Sequence, residues 1–154
     1  MTSNFYVSGA AAMISNRDDW ETPQALFDAL DAVYHFDLDP ASTDANAKCE
    51  RHYTVEQDGL KQSWGGSSVF LNPPYGRGMA AWMKKACESA REPNTCVVAL
   101  IPARTDTAWF HDYVYHIADV TFLRGRVRYE LGGEPVGASA PFPSMICVWD
   151  NREG

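Results

Sequence analysis

A chain of 154 residues with 45% apolar side chains is long enough to bury one core and too apolar for wholesale disorder. Its formal net charge of −7 counts against a broad duplex-binding face, although a local basic patch remains compatible with it. No apolar run approaches the roughly 18 residues of a membrane span, and the start lacks a signal-peptide pattern, so cytoplasmic residence is the default expectation.

Residues 1–19 show no periodicity and read as a mobile N-terminal arm before a single domain over 20–150. The segment "TPQALFDALDAVYH" predicts a helix, with Thr22 as N-cap and Pro23 at the first helical position. Leu26, Phe27, Leu30, Val33 and Tyr34 would form its apolar face. "FDLD" (36–39) is a short strand ended by Pro40, and 41–54 is a mixed segment. "SSVFLN" (67–72) predicts a strand and "GMAAWMKKACESA" a helix. "TCVVALI" (95–101) is a continuous apolar run, as expected of a strand buried on both faces. "TDTAWFHDYVYH" is helical from a cap at Thr105 or Asp106, and "DVTFL" (119–123) is a strand. "RVRYEL" and "SMICVWD" are strands around a Gly/Pro-rich loop, 132–143. Alternation followed by two final strands predicts an α/β fold: a doubly wound, mostly parallel sheet with a C-terminal antiparallel hairpin at one edge.

The four cysteines, Cys49, Cys87, Cys96 and Cys147, form no CxxC pair. His52, His111 and His116 have no partners at metal spacing. Neither a metal site nor a disulfide framework is expected.

Ligands of such sheets bind beyond the carboxyl ends of the strands. Three strand ends carry rigid or polar residues: Asp39-Pro40, Asn72-Pro73-Pro74-Tyr75 and Pro102-Ala103-Arg104. The proline pair after Asn72 reads either as a stiffened turn or as a clamp for a planar amino group. In the second reading Asn72 offers an amide oxygen and the Pro73 carbonyl a second, immobile acceptor. Tyr75 could stack on the ring that bears the amine, worth roughly 1–3 kcal/mol per base. Two acceptors aimed at a nitrogen that turns tetrahedral would stabilise its developing positive charge. Asp39-Pro40-Ala41-Ser42 reads either as a capped turn or as a site for a cationic ligand group, with small residues leaving room. Asp58-Gly59 is a polar turn, or places Asp58 to accept from a cofactor's adenine amino group. Trp82, Trp109, Phe110 and Tyr113 are core by periodicity.

Taken in order, "WETP", "FDLDPAS", "DGLKQSW", "FLNPPYGR", "LIPARTDTAWFH", "FLRGRVRY" and "PFPSMICVW" resemble the compact phage DNA N6-adenine methyltransferases, the Dam-like group, over residues 18–149. The resemblance implies a Rossmann-like methyltransferase fold, S-adenosylmethionine as methyl donor, and DNA as partner. Residue by residue, it implies that Thr22 and Pro23 line the methionine pocket with Trp20 nearby. Asp39, Pro40 and Ala41 would lie at the cofactor and Asp58 at its adenine. Asn72 and Pro73 would hold the target N6, with Pro74 completing the motif and Tyr75 stacked on a flipped base. Tyr129 would supply a second aromatic wall, with Phe142 as its competitor, and Arg77, Arg124 and Arg126 would meet the DNA. The glycine-rich turn is replaced by "PASTDA", and the acid for the cofactor ribose is not identifiable, Asn46 and Glu50 being the possibilities. With no long insertion, sequence specificity would fall to loops 76–78, 104–107 and 130–143, and a homodimer is one way such a chain could grip DNA. The alternatives are a methyltransferase acting on RNA or protein, and a non-catalytic binding module of the same fold.

Overall fold

The computed structural model of the chain describes residues 20–153 apart from 138. The arm expected over 1–19 lies outside the described residues.

The described residues form a mixed α/β structure around a four-stranded sheet. Helix α1 spans Gln24–Tyr34, and its first turn is closed by Pro23, whose carbonyl accepts from the amides of Leu26 and Phe27. The cap is therefore Pro23, one residue later than expected, and it leaves the Thr22 side chain free for another purpose. The apolar face packs through Phe27, which meets Phe70 edge-on at 5.1 Å. Val33, expected on that face, is 65% exposed. His35 ends the helix in the left-handed region, with its amide on the Asp31 carbonyl.

Strands β1 (Ser68–Leu71) and β2 (Cys96–Pro102) are buried throughout and run parallel, with Val69 opposite Val97. Helix α2 (Met79–Ser89) connects them and buries Met79, Met83, Ala86 and Cys87. The predicted strand at 36–39 contracts to single parallel bridges, Leu38 to Val69 and Asp39 to His52. Pro40 has no amide hydrogen to continue that ladder. After β2, helix α3 (Ala108–Tyr113) is capped by Thr107, whose hydroxyl accepts from the Phe110 amide at 3.3 Å.

The C-terminal part departs from expectation. Strand β3 is Asp119–Phe122, β4 is Glu130–Leu131, β5 is Glu134–Pro135 and β6 is Ser144–Asp150. The sheet order is β1-β2-β6-β3, with β6 antiparallel to both neighbours. Thus "RVRYEL" does not form a hairpin with β6. Gly132 and Gly133, at φ 62° and 83°, make the tight reversal that folds β4 onto β5 instead. The apolar run of β6 calls for cover on both edges and both faces, and a place between β2 and β3 supplies it.

Candidate active site

Strand β1 ends because Pro73 and Pro74 cannot donate to a ladder, so Asn72 emerges at its carboxyl end. Gly76, at φ 124°, then turns the chain into α2. A cleft of about 370 Å³ opens at this edge. Trp20, Thr22, Asp39, Pro40, Ala41, Asp58, Asn72, Pro73 and Pro74 all line it. Two of the three expected strand ends, Asp39-Pro40 and Asn72-Pro73-Pro74, therefore meet here, whereas the third, Pro102 with Arg104, lines a second, adjoining cleft. Pro23 is not on the wall; it caps α1.

The cleft is held together at the backbone. A Cβ placed on Gly59 would stand 2.0 Å from the Pro40 carbonyl oxygen, so only glycine lets these two segments touch. The Gly59 carbonyl in turn accepts from the buried Trp64 indole at 2.9 Å. Asp58, in the left-handed region at φ 56°, accepts the Leu60 amide at 3.2 Å and caps a short 3-10 turn, Gly59–Lys61.

Asp39 is 4% exposed, and its carboxylate accepts from the amides of Lys48 at 2.9 Å and Ala41 at 3.4 Å. Burial raises its pKa above the ordinary carboxylate value, and those two amides partly oppose the rise. Two hydroxyls on the same wall, Thr22 Oγ1 and Ser42 Oγ, are buried without a hydrogen-bond partner among the described residues. Buried polar atoms are rarely left so, and their place on a cleft wall suits a ligand with polar groups of its own. Of the two ribose possibilities, Asn46 lines the cleft and Glu50 does not. Ser42 and the stretch Tyr53–Val55 also line it; they follow the bridges at 38–39 and 52, a pairing too short to show in sequence periodicity.

A second cleft, of about 360 Å³, shares Trp20 with the first. Tyr75, Met79, Trp109 and Phe142 form its apolar walls, and Arg104 stands at it with its guanidinium 5.9 Å from the Phe142 ring centre. Trp109, expected in the core, is half-buried on this wall. Tyr129 is not a wall. It is 1% exposed and lies behind Tyr75, the two ring centres 6.2 Å apart. Its alternation with exposed Arg128 put it on the inner side of an extended segment, which the resemblance alone did not reveal. Arg77 and Arg124 are exposed, and Arg126 is exposed with one nitrogen donating to the Ala140 carbonyl at 3.3 Å.

Asn72 joins the two clefts. Its amide nitrogen donates to the Trp20 carbonyl, and its oxygen accepts from the Tyr75 hydroxyl at 2.7 Å. The first bond fixes which way the amide faces. Burial raises the pKa of both Tyr75 and Tyr129, so both remain hydroxyls, able to donate, at neutral pH. Among the described residues no group of three or more His, Cys, Asp or Glu is placed to hold a metal ion, and no helix is long and apolar enough to cross a membrane.

A mixed α/β sheet with two clefts at its strand ends is consistent with a methyltransferase-like fold. Residues 9–152 match the family described as DNA N-6-adenine-methyltransferase (Dam), and the chain belongs to it. It is similar to the DNA N-6-adenine-methyltransferase of Escherichia phage T1, 34% identical over 125 residues, covering 80% of this chain and 52% of that protein. It is also similar to the protein of the same description from Haemophilus phage HP1 (strain HP1c1), 28% identical over 111 residues, 71% of this chain and 64% of that one. A shorter match joins it to the putative methyltransferase YfdM of Escherichia coli (strain K12), 34% identical over 65 residues, 38% of this chain and 71% of that one. The chain thus spans roughly half to two thirds of the two phage proteins, 52% and 64% of their lengths.

Proposed function

We propose that this protein transfers a methyl group from S-adenosylmethionine to the N6 amino group of adenine in DNA, on a doubly wound, Rossmann-like methyltransferase fold. The observation that carries this reading is the pair of clefts sharing Trp20, with Asn72 on one and its partner Tyr75 on the other. Family membership and the named activity of the phage relatives support the same reading.

In this reading the first cleft takes the cofactor. Its volume lies in the usual range for small-molecule sites, and Thr22 Oγ1 and Ser42 Oγ offer unspent hydrogen-bonding capacity. Asp39 supplies negative charge beneath it, Asp58 would meet the adenine end, and Asn46 is the candidate for the ribose. When bound, the cofactor supplies a methyl group already activated on a sulfonium. The second cleft takes the target adenine, swung out of the stack between Tyr75, Phe142 and Trp109. Asn72 Oδ1 and the Pro73 carbonyl hold the two hydrogens of N6 and turn its lone pair toward the first cleft. Their fixed dipoles stabilise the positive charge that grows on nitrogen, with no solvent to reorganise. Arg104 lines this cleft and Arg77 follows Gly76 of its wall; with Arg126 they would give the DNA side a local basic character despite the net charge of −7.

Offering duplex DNA, single-stranded DNA, RNA and protein together to the enzyme with labelled S-adenosylmethionine tests the polymer. Label in DNA is expected; label confined to RNA or protein would refute this reading.

Two consequences follow. Arg126→Ala should weaken DNA binding uniformly across sequences and reduce the salt slope by about one. An unchanged slope in binding titrations would remove Arg126 from the phosphate contacts. Cofactor affinity should fall as pH drops from neutral into the acid range. The free protein holds Asp39 protonated up to a higher pH than usual, whereas a cationic ligand binds the ionised form. Protonation therefore competes with binding, and affinity rises with pH. Asp39→Asn should bind more weakly and lose that dependence in calorimetry; a wild-type affinity that does not change with pH would contradict the assignment.

A further inference from the structure

Behind the clamp, three hydroxyls stand in a line. Tyr75 Oη lies 2.7 Å from Asn72 Oδ1, 3.0 Å from the Leu100 carbonyl oxygen and 3.1 Å from Tyr129 Oη. Tyr129 Oη lies 3.0 Å from Ser144 Oγ. Tyr129 and Ser144 are each 1% exposed. Packing alone would be served at these places by Phe and Ala, without the cost of burying hydroxyls.

Counting hydrogens fixes the direction of the chain. The Asn72 amide oxygen and the Leu100 carbonyl can only accept. The one hydrogen of Tyr75 goes to one of them, so in its contact with Tyr129 the Tyr75 oxygen is the acceptor. Tyr129 then has no hydrogen left for Ser144, and its oxygen accepts from the serine. The order of donation is Ser144 to Tyr129 to Tyr75, and then to Asn72 or Leu100.

That last choice bears on the chemistry. A hydrogen bond from Tyr75 draws electron density from Asn72 Oδ1, the atom that must stabilise a positive nitrogen. With the Leu100 carbonyl at 3.0 Å, the hydroxyl can turn away and leave that density to the target. We propose that Tyr129 and Ser144 are positioning residues for methyl transfer: they hold the Tyr75 oxygen in place while its hydrogen passes from Asn72 to the Leu100 carbonyl as the target amine arrives. The inference rests on the reading of Asn72 as the amine clamp.

Tyr129→Phe removes one oxygen and keeps the ring. It should lower kcat about three- to tenfold, with KM for DNA and cofactor nearly unchanged, and lower thermal stability as well, because the buried Ser144 hydroxyl loses its acceptor. In a Tyr75→Phe background the same substitution should cause no further loss, because no hydroxyl remains to be held. A purely structural role would lower kcat equally in both backgrounds. Ser144→Ala should give a smaller fall that also disappears in Tyr75→Phe, and it carries the test if Tyr129→Phe does not fold. Equal losses in both backgrounds, or a wild-type kcat for Tyr129→Phe and Ser144→Ala, would overturn the inference. A wild-type protein unable to methylate adenine in DNA would overturn the clamp reading and this inference with it, whereas the former outcomes leave the clamp reading standing.

Discussion

Asn72→Ala should abolish methyl transfer while cofactor binding survives. The substitution deletes the oxygen that would receive N6, so the loss falls on the transition state rather than on the ground state. Removing one preorganised partner of a developing charge typically costs about 10²–10³ in kcat, and here the amide also fixes the direction of approach. The structural cost is smaller. Losing the bond to the Trp20 carbonyl and leaving the Tyr75 hydroxyl with the Leu100 carbonyl should lower stability by about 1–2 kcal/mol. Single-turnover assays beside calorimetry separate the two effects. Normal rates with the alanine protein would show that the amide is not the clamp.

Gly59→Ala should damage the first cleft, where the proposal seats the cofactor, without touching Asn72 or Pro73. Its Cβ would stand 2.0 Å from the Pro40 carbonyl oxygen, a backbone atom that cannot swing aside as a flexible side chain can. The segments bearing Asp39-Pro40 and Asp58 must separate, and both line the cleft. A stability loss of about 2–4 kcal/mol is expected, within the range for overpacked interior sites, together with at least about tenfold weaker cofactor binding. Gly66→Ala is the control. Gly66 has φ 75° and open space at the Cβ position, so the expected cost is backbone strain of about 1 kcal/mol, with cofactor affinity unchanged. Denaturant titration and calorimetry on both proteins check this. Equal cofactor affinities would contradict the role given to the Pro40–Gly59 contact.

Much of the site was legible in the sequence because rigid residues mark it. Asn72-Pro73-Pro74 marks the end of a strand, and Asp39-Pro40 the end of a segment that bridges to its neighbours, so their meeting fitted the topology of an open α/β sheet. The continuous apolar run 95–101 gave β2, which is buried throughout. Thr22 was misread because a threonine before proline has the local signature of a cap. In the structure Pro23 caps α1, and the Thr22 hydroxyl is buried at the cleft wall without a hydrogen-bond partner among the described residues. The partners of β6 were missed because sequence adjacency favoured a hairpin with 126–131, whereas two positive-φ glycines folded that segment back on itself. The inward face of Tyr129 was legible in its alternation with Arg128, whereas the place of Trp109 on a cleft wall depends on packing between segments distant in sequence, which periodicity within one segment does not record.

The most direct measurement is nucleoside analysis of DNA after incubation with the protein and labelled S-adenosylmethionine. N6-methyladenine carrying the label, formed by the wild-type protein and absent with Asn72→Ala, is the predicted result. Label on another base or another atom of adenine, or N6-methyladenine formed equally by Asn72→Ala, would contradict it.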